Sequence, residues 1–331
     1  MLIVITGGTG FLGQQLARRL LARGELTGGS GRPESIERLV LLDAAPAPMQ
    51  PLWADARVAT IVGDITDREL LSNVVDRDDV SVFHLASMVS AGAEADFDGA
   101  LRVNLDGGRA ILEACRARGG VPRLVFTSSI AAFGGEPIAE SVSDSSKLTP
   151  ETTYGTTKAI CELLVNDYSR KGFLDGRSAR LPTVVIRPGR PNAAASSWVS
   201  GILREPLNGE ETTLPVEPDT GVPISGYRTI VENLIALHEL PGSALGVDRA
   251  VSLPALNVTA GEMLEALQRA SDRPLGTVHV EPDPTVTDFF CRWAQHSSFE
   301  RATRLGLSRD ESLEGVIGEY IEDFLPPPPA T

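Results

Sequence analysis

The sequence has no long apolar run, little cysteine and no excess of basic residues. Its hydrophobic stretches fall short of the roughly 18 residues that a membrane-spanning helix needs, so we expect no membrane segment. The N-terminus, MLIVITGG, has neither a basic segment nor a cleavage motif, and a secretory signal peptide is not expected. The three cysteines are odd in number and far apart, which favours reduced thiols in the cytoplasm over a disulfide framework. No Cys/His spacing predicts a metal site.

The balance of acidic and basic residues argues against nucleic acid as a partner. The 331 residues carry 44 acidic and 30 basic side chains, which gives a formal net charge of −14. Because an acidic protein repels phosphate backbones, nucleic acid is not an expected partner. The hydrophobic fraction of 42% is enough for a sizeable core, and the length favours about two domains.

Short apolar runs alternate with helical periodicity through the first half of the chain. Leu2–Thr6 is typical of a strand buried on both faces. Five similar runs follow, at Leu39–Leu42, Val58–Val62, Val80–Leu85, Leu124–Thr127 and Thr183–Ile186. Leucines at positions 12, 16 and 20 predict an amphipathic helix, and Tyr154–Lys171 predicts another. This alternation predicts βαβ units and a parallel sheet, with the glycine-rich Gly24–Glu37 as a surface excursion.

A glycine-rich loop joins the first predicted strand to the first predicted helix. In TGGTGFLG, the glycines at positions 7, 10 and 13 have the spacing GxxGxxG. The first permits a tight turn, the second lets the backbone approach a pyrophosphate, and the third lets the helix pack closely on the sheet. Since the helix N-terminus offers N–H groups to an anion, we expect a dinucleotide site that includes Gly7, Gly10, Phe11, Leu12 and Gly13. A glycine-rich turn without a ligand is the alternative.

This loop and the alternating pattern together predict the fold class. We expect an α/β fold, a Rossmann-type doubly wound parallel sheet with a smaller, mostly C-terminal substrate-binding domain. The predicted nucleotide-binding domain spans 1–188, with 228–256 returning to it. The predicted substrate-binding domain comprises 189–227 and 257–325, and the proline-rich 326–331 is expected to be an exposed tail.

Acidic residues end two of the predicted strands. Asp43 ends LVLLD, where a carboxylate accepts hydrogen bonds from the adenosine ribose and repels a 2′-phosphate, so NAD is favoured over NADP. Asp64 and Ile65 follow the next strand in GDI, where a carboxylate can reach the adenine amino group. The alternative for Asp43 is a solvated aspartate at a strand end.

A tyrosine and a lysine four residues apart supply a candidate base. Tyr154 and Lys158 share one helix face in YGTTK, and an ammonium beside a phenol favours phenolate. A free tyrosine has a pKa near ~10, so we expect Lys158 to lower the pKa of Tyr154 into the useful range. Ser129 follows the preceding predicted strand, where its hydroxyl can hold a substrate oxygen. The alternative to a catalytic role is that Tyr154 is an aromatic residue on the helix surface and that Ser129 caps the end of a strand.

Seven segments spread over most of the chain carry a family resemblance: TGGTGFLG, GDI, HLAS, RVNLDG, FTSSIAAFGG, YGTTK and RLPTVVIRPG. Together they resemble the extended short-chain dehydrogenase/reductase family. The resemblance implies Ser129, Tyr154 and Lys158 as the catalytic residues, NAD as the cofactor, and a homodimer. It also implies further residues of the cofactor site, namely Leu85, Ala86, Asn104 and Pro188.

The substrate-side segments narrow the resemblance. EADFDGALRVNLDG and RLPTVVIRPGRPNAAASSWVSGILREPLNGEE resemble a subfamily that oxidises the C2 hydroxyl of D-erythronate, a four-carbon sugar acid, to a 2-oxo acid. Ile130 and Ala131 stand where a resembling sugar-nucleotide dehydratase carries its acid pair, so dehydration is not expected. PGRPNAAASSWVSG lacks an NVYGP-like stretch, which favours a compact substrate over a nucleotide sugar.

A small sugar acid needs a cation for its carboxylate. Arg190 follows the last strand of the first predicted domain, and a fork-shaped guanidinium suits a carboxylate. A surface arginine or a pyrophosphate contact is the other interpretation of Arg190, and Arg204 and Arg228 are alternative cations. The full predicted substrate site comprises Ser87, Ser129, Tyr154, Arg190, Asn192 and Ser196. Two further functions stay open: a nucleotide-sugar 4-epimerase and a non-catalytic NAD-sensing scaffold.

Overall fold

The computed structural model describes residues 1–46, 51–135, 141–190, 194 and 196–326. The chain divides into two compact units. The first unit comprises Met1–Ala132, Thr152–Arg180 and Val231–Val251. The second comprises Phe133–Glu151, Leu181–Ile230 and Ser252–Thr331.

The described residues form fourteen strands and thirteen helices. The strands are β1 (Leu2–Thr6), β2 (Glu25–Thr27), β3 (Pro33–Ser35), β4 (Arg38–Asp43), β5 (Val58–Val62), β6 (Val80–His84), β7 (Arg123–Ser129), β8 (Asp175–Leu181), β9 (Thr183–Val185), β10 (Thr212–Leu214), β11 (Gly221–Gly226), β12 (Ala250–Ser252), β13 (Leu256–Thr259) and β14 (Val278–Val280). The helices are α1 (Phe11–Arg23), α2 (Arg68–Val74), α3 (Ser90–Ala95), α4 (Phe97–Ala100), α5 (Gly107–Arg116), α6 (Thr153–Arg170), α7 (Ser197–Leu207), α8 (Tyr227–Glu239), α9 (Gly242–Leu245), α10 (Ala260–Ala270), α11 (Pro284–Phe290), α12 (Glu300–Arg304) and α13 (Leu313–Phe324). A short π-helix, Leu101–Asp106, joins α4 to α5.

The main sheet has seven strands in the order β5-β4-β1-β6-β7-β8-β12. β1 pairs in parallel with both β4 and β6, while β4 pairs in parallel with β5 and β6 with β7. The strand order therefore reverses at β1, and ligands of such sheets bind at the carboxyl ends of the strands beside this switch point. The predicted doubly wound sheet is confirmed.

The apolar runs form the core of the first unit. β1 is buried along its whole length, as the LIVIT run predicts. On α1, Leu16 and Leu20 are fully buried and face the sheet. The helix ends at Gly24, whose φ of +75° is a left-handed conformation that glycine adopts without steric cost.

β8 is a strand that the sequence analysis missed. Its sequence, DGRSARL, contains two arginines, yet the side chains of Arg177 and Arg180 are almost fully buried. Arg177 forms an ion pair with Asp175 at 2.6 Å and donates a hydrogen bond to the Leu237 carbonyl at 3.2 Å. Buried charges persist only when they are paired, and Arg177 is paired by Asp175 within the same strand and by a carbonyl 60 residues further along the chain.

β9 belongs to the second unit, and this corrects a prediction. The run Thr183–Ile186 was expected to continue the main sheet, but β9 pairs in parallel with β11, which pairs in antiparallel fashion with β13. Residues 133–151 and 181–188, expected in the nucleotide-binding domain, accordingly fall within the second unit. A second short sheet, β10 with β14, and an aromatic cluster of Trp198, Phe290 and Trp293 complete this unit's interior.

The predicted surface excursion, Gly24–Glu37, contains the hairpin β2–β3. Its Leu26 is buried, and Thr27 donates two hydrogen bonds to the Glu239 carboxylate. At the other end of the chain, Pro326 is exposed and 327–331 lie outside the described residues. Across the described ranges, we find no helix with the length and apolar character needed to traverse a bilayer.

Candidate active site

The glycine loop between β1 and α1 leaves no room for side chains at three of its glycines, Gly7, Gly8 and Gly13. Gly7 has a φ of +67°, and a Cβ there would lie 2.8 Å from the Ala86 nitrogen. A Cβ on Gly13 would lie 2.4 Å from the Gly7 carbonyl oxygen. The loop is thus held tightly between the end of β6 and the first turn of α1, which Phe11, Leu12 and Gly13 begin.

A cavity of about 650 Å³ lies beside this loop, within the first unit. Eight of the residues predicted from the sequence line it: Gly7, Gly10, Asp43, Asp64, Ile65, Leu85, Ala86 and Ser87. Six others were not predicted: Leu42, Ala44, Gly63, Met88, Arg102 and Val103. The volume lies within the range of about 300–1,000 Å³ that is usual for cofactor pockets.

Asp43 is fixed at the end of β4 by two backbone groups. Its Oδ2 accepts a hydrogen bond from the Thr9 nitrogen at 3.1 Å, and its Oδ1 accepts one from the Ala44 nitrogen at 2.8 Å. The carboxylate therefore ties the glycine loop to β4. Its remaining lone pairs can accept hydroxyl protons on the cavity side.

Asp64 is already paired in this structure. Thr66 donates to its Oδ1 through both nitrogen and hydroxyl, and Arg102 donates to its Oδ2 at 2.6 Å. The Thr66 hydrogen bonds, with a smaller contribution from Arg102, hold the pKa of Asp64 below its usual range. Sequence reasoning missed Arg102, although it lies two positions before Asn104 in RVNLDG.

Asn104 uses all of its hydrogen-bonding capacity on the protein. Its Oδ1 accepts from the Met88 nitrogen at 2.7 Å and from the Ser87 hydroxyl at 3.1 Å. Its Nδ2 donates to the Met88 carbonyl at 3.1 Å and to the Thr157 hydroxyl at 3.2 Å. Asn104 therefore joins the cavity-lining segment of Ser87 and Met88 to α6, and its side chain has no group left for a ligand.

Ser129, Tyr154 and Lys158 come together at the ends of β7 and α6. Thr152 caps α6 by accepting from the Gly155 nitrogen at 3.0 Å, which places Tyr154 in the first turn. The Ser129 side chain lies close enough to the Tyr154 phenol to affect its pKa, and its hydroxyl oxygen accepts a hydrogen bond from the Ala131 nitrogen at 3.1 Å. The Lys158 ammonium lies 5.4 Å from the centre of the Tyr154 ring and donates to the Thr127 carbonyl at 2.7 Å.

The acid–base properties of this group differ from the prediction. Burial raises the pKa of Tyr154 to about 12, and the nearby Ser129 side chain lowers it by less. Burial also lowers the pKa of Lys158 to about 8. The expected lowering of the Tyr154 pKa by Lys158 is therefore wrong for this structure. The physical reason is that Lys158 directs its ammonium to the Thr127 carbonyl, while loss of solvent penalises phenolate.

His84 lies beside this group but is neutral. Its Nδ1 is hydrogen-bonded to the Thr6 hydroxyl at 2.6 Å, and its ring stacks on Phe126. Burial, aided by the charge of Lys158, lowers the pKa of His84 to about 3. His84 therefore packs at the end of β6 without adding charge to the site.

The remaining predicted substrate and cofactor residues lie in the second unit. Pro188 and Ser196 are half-buried, Arg190 is exposed, and Asn192 lies outside the described residues. Within the described ranges the Arg190 guanidinium has no carboxylate partner. The alternative cations do: Arg204 is buried against Glu205, and Arg228 pairs with Glu322 and Asp323. Both alternatives are therefore less suited to an incoming carboxylate.

Comparison with a family model identifies the family that has this glycine loop together with the serine, tyrosine and lysine of the candidate site. The model of the NAD dependent epimerase/dehydratase family matches residues 3–218, which include the glycine loop, Asp43, Ser129, Tyr154 and Lys158. The chain belongs to the NAD dependent epimerase/dehydratase family. This confirms the resemblance drawn from the sequence, and NAD is the cofactor.

Similar proteins within the family cover almost the whole chain. A D-erythronate dehydrogenase of Cupriavidus necator is 48% identical over 98% of both chains. One from Haemophilus influenzae is 40% identical over 97% of this chain and 99% of its own. A solved structure of a nucleoside-diphosphate-sugar epimerase from Agrobacterium tumefaciens superposes with a TM-score of 0.88 at 40% identity, covering 98% of this chain and 94% of that one.

The residues present in this family member fit NAD. The cavity has a suitable volume, and side chains at Gly7 and Gly13 would collide with the backbone around the loop. The first turn of α1 presents the positive end of a helix dipole, which favours a diphosphate. Across the described residues, no set of three or more His, Cys, Asp or Glu side chains is placed to hold a metal ion.

Proposed function

We propose that this protein is an NAD-dependent dehydrogenase that oxidises the C2 hydroxyl of a small sugar acid, D-erythronate, to the 2-oxo acid. The observation that carries the proposal is the closeness of the Ser129 side chain to the Tyr154 phenol, with Lys158 one turn further along α6, in the unit that also holds the dinucleotide cavity. The similarity to two D-erythronate dehydrogenases over nearly the whole chain supports this substrate class.

The chain's own residues have distinct roles in the proposed reaction. When bound, NAD supplies a nicotinamide ring that can accept a hydride. Ser129 holds the substrate hydroxyl and orients it toward Tyr154. Tyr154 takes the hydroxyl proton, which requires its pKa to fall from about 12. Lys158 is mostly protonated at neutral pH, since its pKa is about 8, and a shift of its ammonium from the Thr127 carbonyl toward the phenol would favour phenolate.

The test is NADH formation by the purified protein with NAD and a panel of four-carbon sugar acids. We expect turnover with D-erythronate. Tyr154→Phe should abolish turnover while the fold is kept, because the Tyr154 phenolate oxygen is the proton acceptor. Retained activity in that variant would remove Tyr154 from this role. A variant at Tyr168, Tyr168→Phe, is the matched control on the same helix and should keep its activity.

UDP-sugars incubated with the protein and NAD, with analysis of the sugar product because epimerisation forms no net NADH, address the second candidate function. The 40% identity to a nucleoside-diphosphate-sugar epimerase of known structure favours testing it. Conversion of a UDP-sugar, with no reaction of the sugar acids, would make the protein an epimerase with the same Ser-Tyr-Lys group. If the protein binds NAD but none of the tested substrates leads to its reduction, the result would fit the non-catalytic sensor.

We further propose Arg190 as the cation for the substrate carboxylate, because it is exposed and lacks a carboxylate partner among the described residues. Arg190→Ala should raise the KM for the sugar acid and leave NAD affinity unchanged. Arg269→Ala, at an exposed arginine of the same unit, is the control. An unchanged KM in Arg190→Ala would refute this role.

The homodimer and the cytoplasmic location stay predictions.

A further inference from the structure

The π-helix Leu101–Asp106 places three successive residues at the dinucleotide cavity. Arg102 and Val103 line the cavity, and Asn104 binds the backbone of Met88 at its edge. Wider helical turns of this kind are frequent at functional sites. Asn104 links two segments of the protein, whereas Arg102 adds a charged side chain to the cavity wall.

Arg102 lies at the end of the cavity that β4 and β5 form. Its Nη1 donates to Asp64 Oδ2 at 2.6 Å, and Asp64 follows β5, the edge strand of the main sheet. The neighbouring strand, β4, ends at Asp43, which is predicted to bind the adenosine ribose. The Arg102 guanidinium therefore borders the part of the cavity that suits the adenosine half of NAD.

A glycine permits the π-helix to approach this end of the cavity closely. Gly107 directly follows the π-helix, and a Cβ there would lie 2.6 Å from the Ile65 side chain. Ile65 also lines the cavity, next to Asp64. Because Gly107 has no side chain, this part of the chain packs directly against Ile65, and Arg102 comes within hydrogen-bonding distance of Asp64.

Stability alone is a weak explanation for the ion pair of Arg102 and Asp64. The two side chains are 55% and 48% exposed, and ion pairs at such positions contribute little to folding. Among the described residues that line the cavity, Arg102 alone is basic. A guanidinium is planar and weakly hydrated, so it is suited to lie against the face of an aromatic base. The hydrogen bond to Asp64 holds it at the adenosine end.

We propose that Arg102 is a cofactor-binding residue whose guanidinium contacts the face of the adenine base of NAD, with Asp64 holding it in position. The inference goes beyond the proposed function, because it depends on NAD and makes no use of the sugar acid. NAD binding without substrate tests it, so the protein's failure to oxidise a sugar acid would leave this test intact.

Calorimetric titration of the purified protein with NAD measures the contact. In Arg102→Ala the Kd for NAD should rise about fivefold, the usual size of a cation–aromatic contact at a partly exposed site. Arg109→Ala is the matched control, because Arg109 is exposed, lies outside the cavity and carries the same charge. It should keep the parent Kd. A parent-like Kd in Arg102→Ala would overturn the proposal.

Arg102→Lys separates the planar contact from the positive charge. The lysine keeps the charge and can still pair with Asp64, but it lacks the plane of the guanidinium. NAD binding should therefore stay weaker than in the parent protein. Full recovery of NAD affinity in Arg102→Lys would show that charge alone acts, which would also overturn the proposal. Because this variant can keep the ion pair, the comparison stands even if Arg102→Ala loses its fold.

An analogue of NAD separates the direct contact from an effect through Asp64. Asp64 Oδ1 accepts two hydrogen bonds from Thr66, and Oδ2 accepts one from Arg102. Loss of Arg102 therefore frees a lone pair that can bind the adenine amino group. Nicotinamide hypoxanthine dinucleotide has a planar base without that amino group. Arg102→Ala should weaken its binding about fivefold as well, whereas a loss confined to NAD would mean that Arg102 acts only through Asp64.

Discussion

Substitution of Gly13 by alanine tests whether the glycine loop is a precise nucleotide cradle or a tolerant turn. The added Cβ would lie 2.4 Å from the Gly7 oxygen and 2.7 Å from the Gly8 Cα, both backbone atoms. Unstrained contacts between non-bonded heavy atoms need about 3.5 Å, so α1 has to retreat from the loop by about 1 Å. Overpacking of this kind costs about 1–3 kcal/mol of unfolding free energy.

NAD affinity should fall in Gly13→Ala as well, because the first turn of α1 moves with the helix. Loss of one hydrogen bond to a charged diphosphate costs about 1.5–3 kcal/mol, which is about a tenfold to hundredfold weaker Kd. Urea unfolding measures the first effect, and calorimetric titration with NAD measures the second.

Two matched variants separate these effects. Gly10→Ala introduces a Cβ that meets only the Gly7 oxygen, at 3.2 Å, on a backbone with φ of −70°. It should therefore spare stability and weaken NAD binding, because Gly10 lines the cavity. Gly24→Ala, at the opposite end of α1, has φ of +75° and should destabilise by about 1–2 kcal/mol with NAD affinity unchanged. Parent-like stability and NAD affinity in Gly13→Ala would refute the reasoning.

Three further predictions follow from other parts of the first unit. Asn104→Ala leaves the Met88 backbone groups without their partner, so it should cost about 1–3 kcal/mol in urea unfolding and weaken NAD binding; parent-like values for both would contradict the linking role. Asp43→Asn keeps an acceptor for Thr9 but removes the charge, so the ratio of NAD to NADP affinity should fall about tenfold or more, and an unchanged ratio would exclude Asp43 from cofactor choice. Burial lowers the pKa of His238 to about 4 and that of His84 to about 3, from 6.5, so the unfolded chain takes up protons first as the pH falls. Stability should therefore be full above pH 6.5 and decline from pH 6.5 to pH 5, with a shallower decline in His238→Gln; a urea midpoint that rises on acidification would contradict this.

Local features of the chain were predictable because their physical causes are local. The LIVIT run is apolar throughout, and β1 is buried along its whole length. The glycines at positions 7, 10 and 13 border the first turn of α1, where the spacing placed them. Tyr154 and Lys158 share a face of α6 because four residues make about one helical turn.

Features that depend on distant partners were missed. β8 looks like a polar loop in sequence, and its arginines are buried because Glu162 and the Leu237 carbonyl, which lie elsewhere in the chain, meet them in the fold. β9 was predicted as part of the main sheet, but its pairing is with β11, some 40 residues further along the chain. The role of Asn104 also depends on a segment elsewhere, since its partners are Met88 and Thr157.

The sequence by itself determined the alternation of strands and helices, the glycine loop and the set of chemical groups available for catalysis, because each depends on spacing over a few residues. The tertiary structure decided how those groups are ionised and which charges are buried. It raises the pKa of Tyr154 to about 12, lowers that of Lys158 to about 8 and pairs Glu162 with Arg180. The physical reason is that solvation and charge pairing depend on what packs around a group, and here those neighbours come from β6, β7 and β8 as well as from α6 itself.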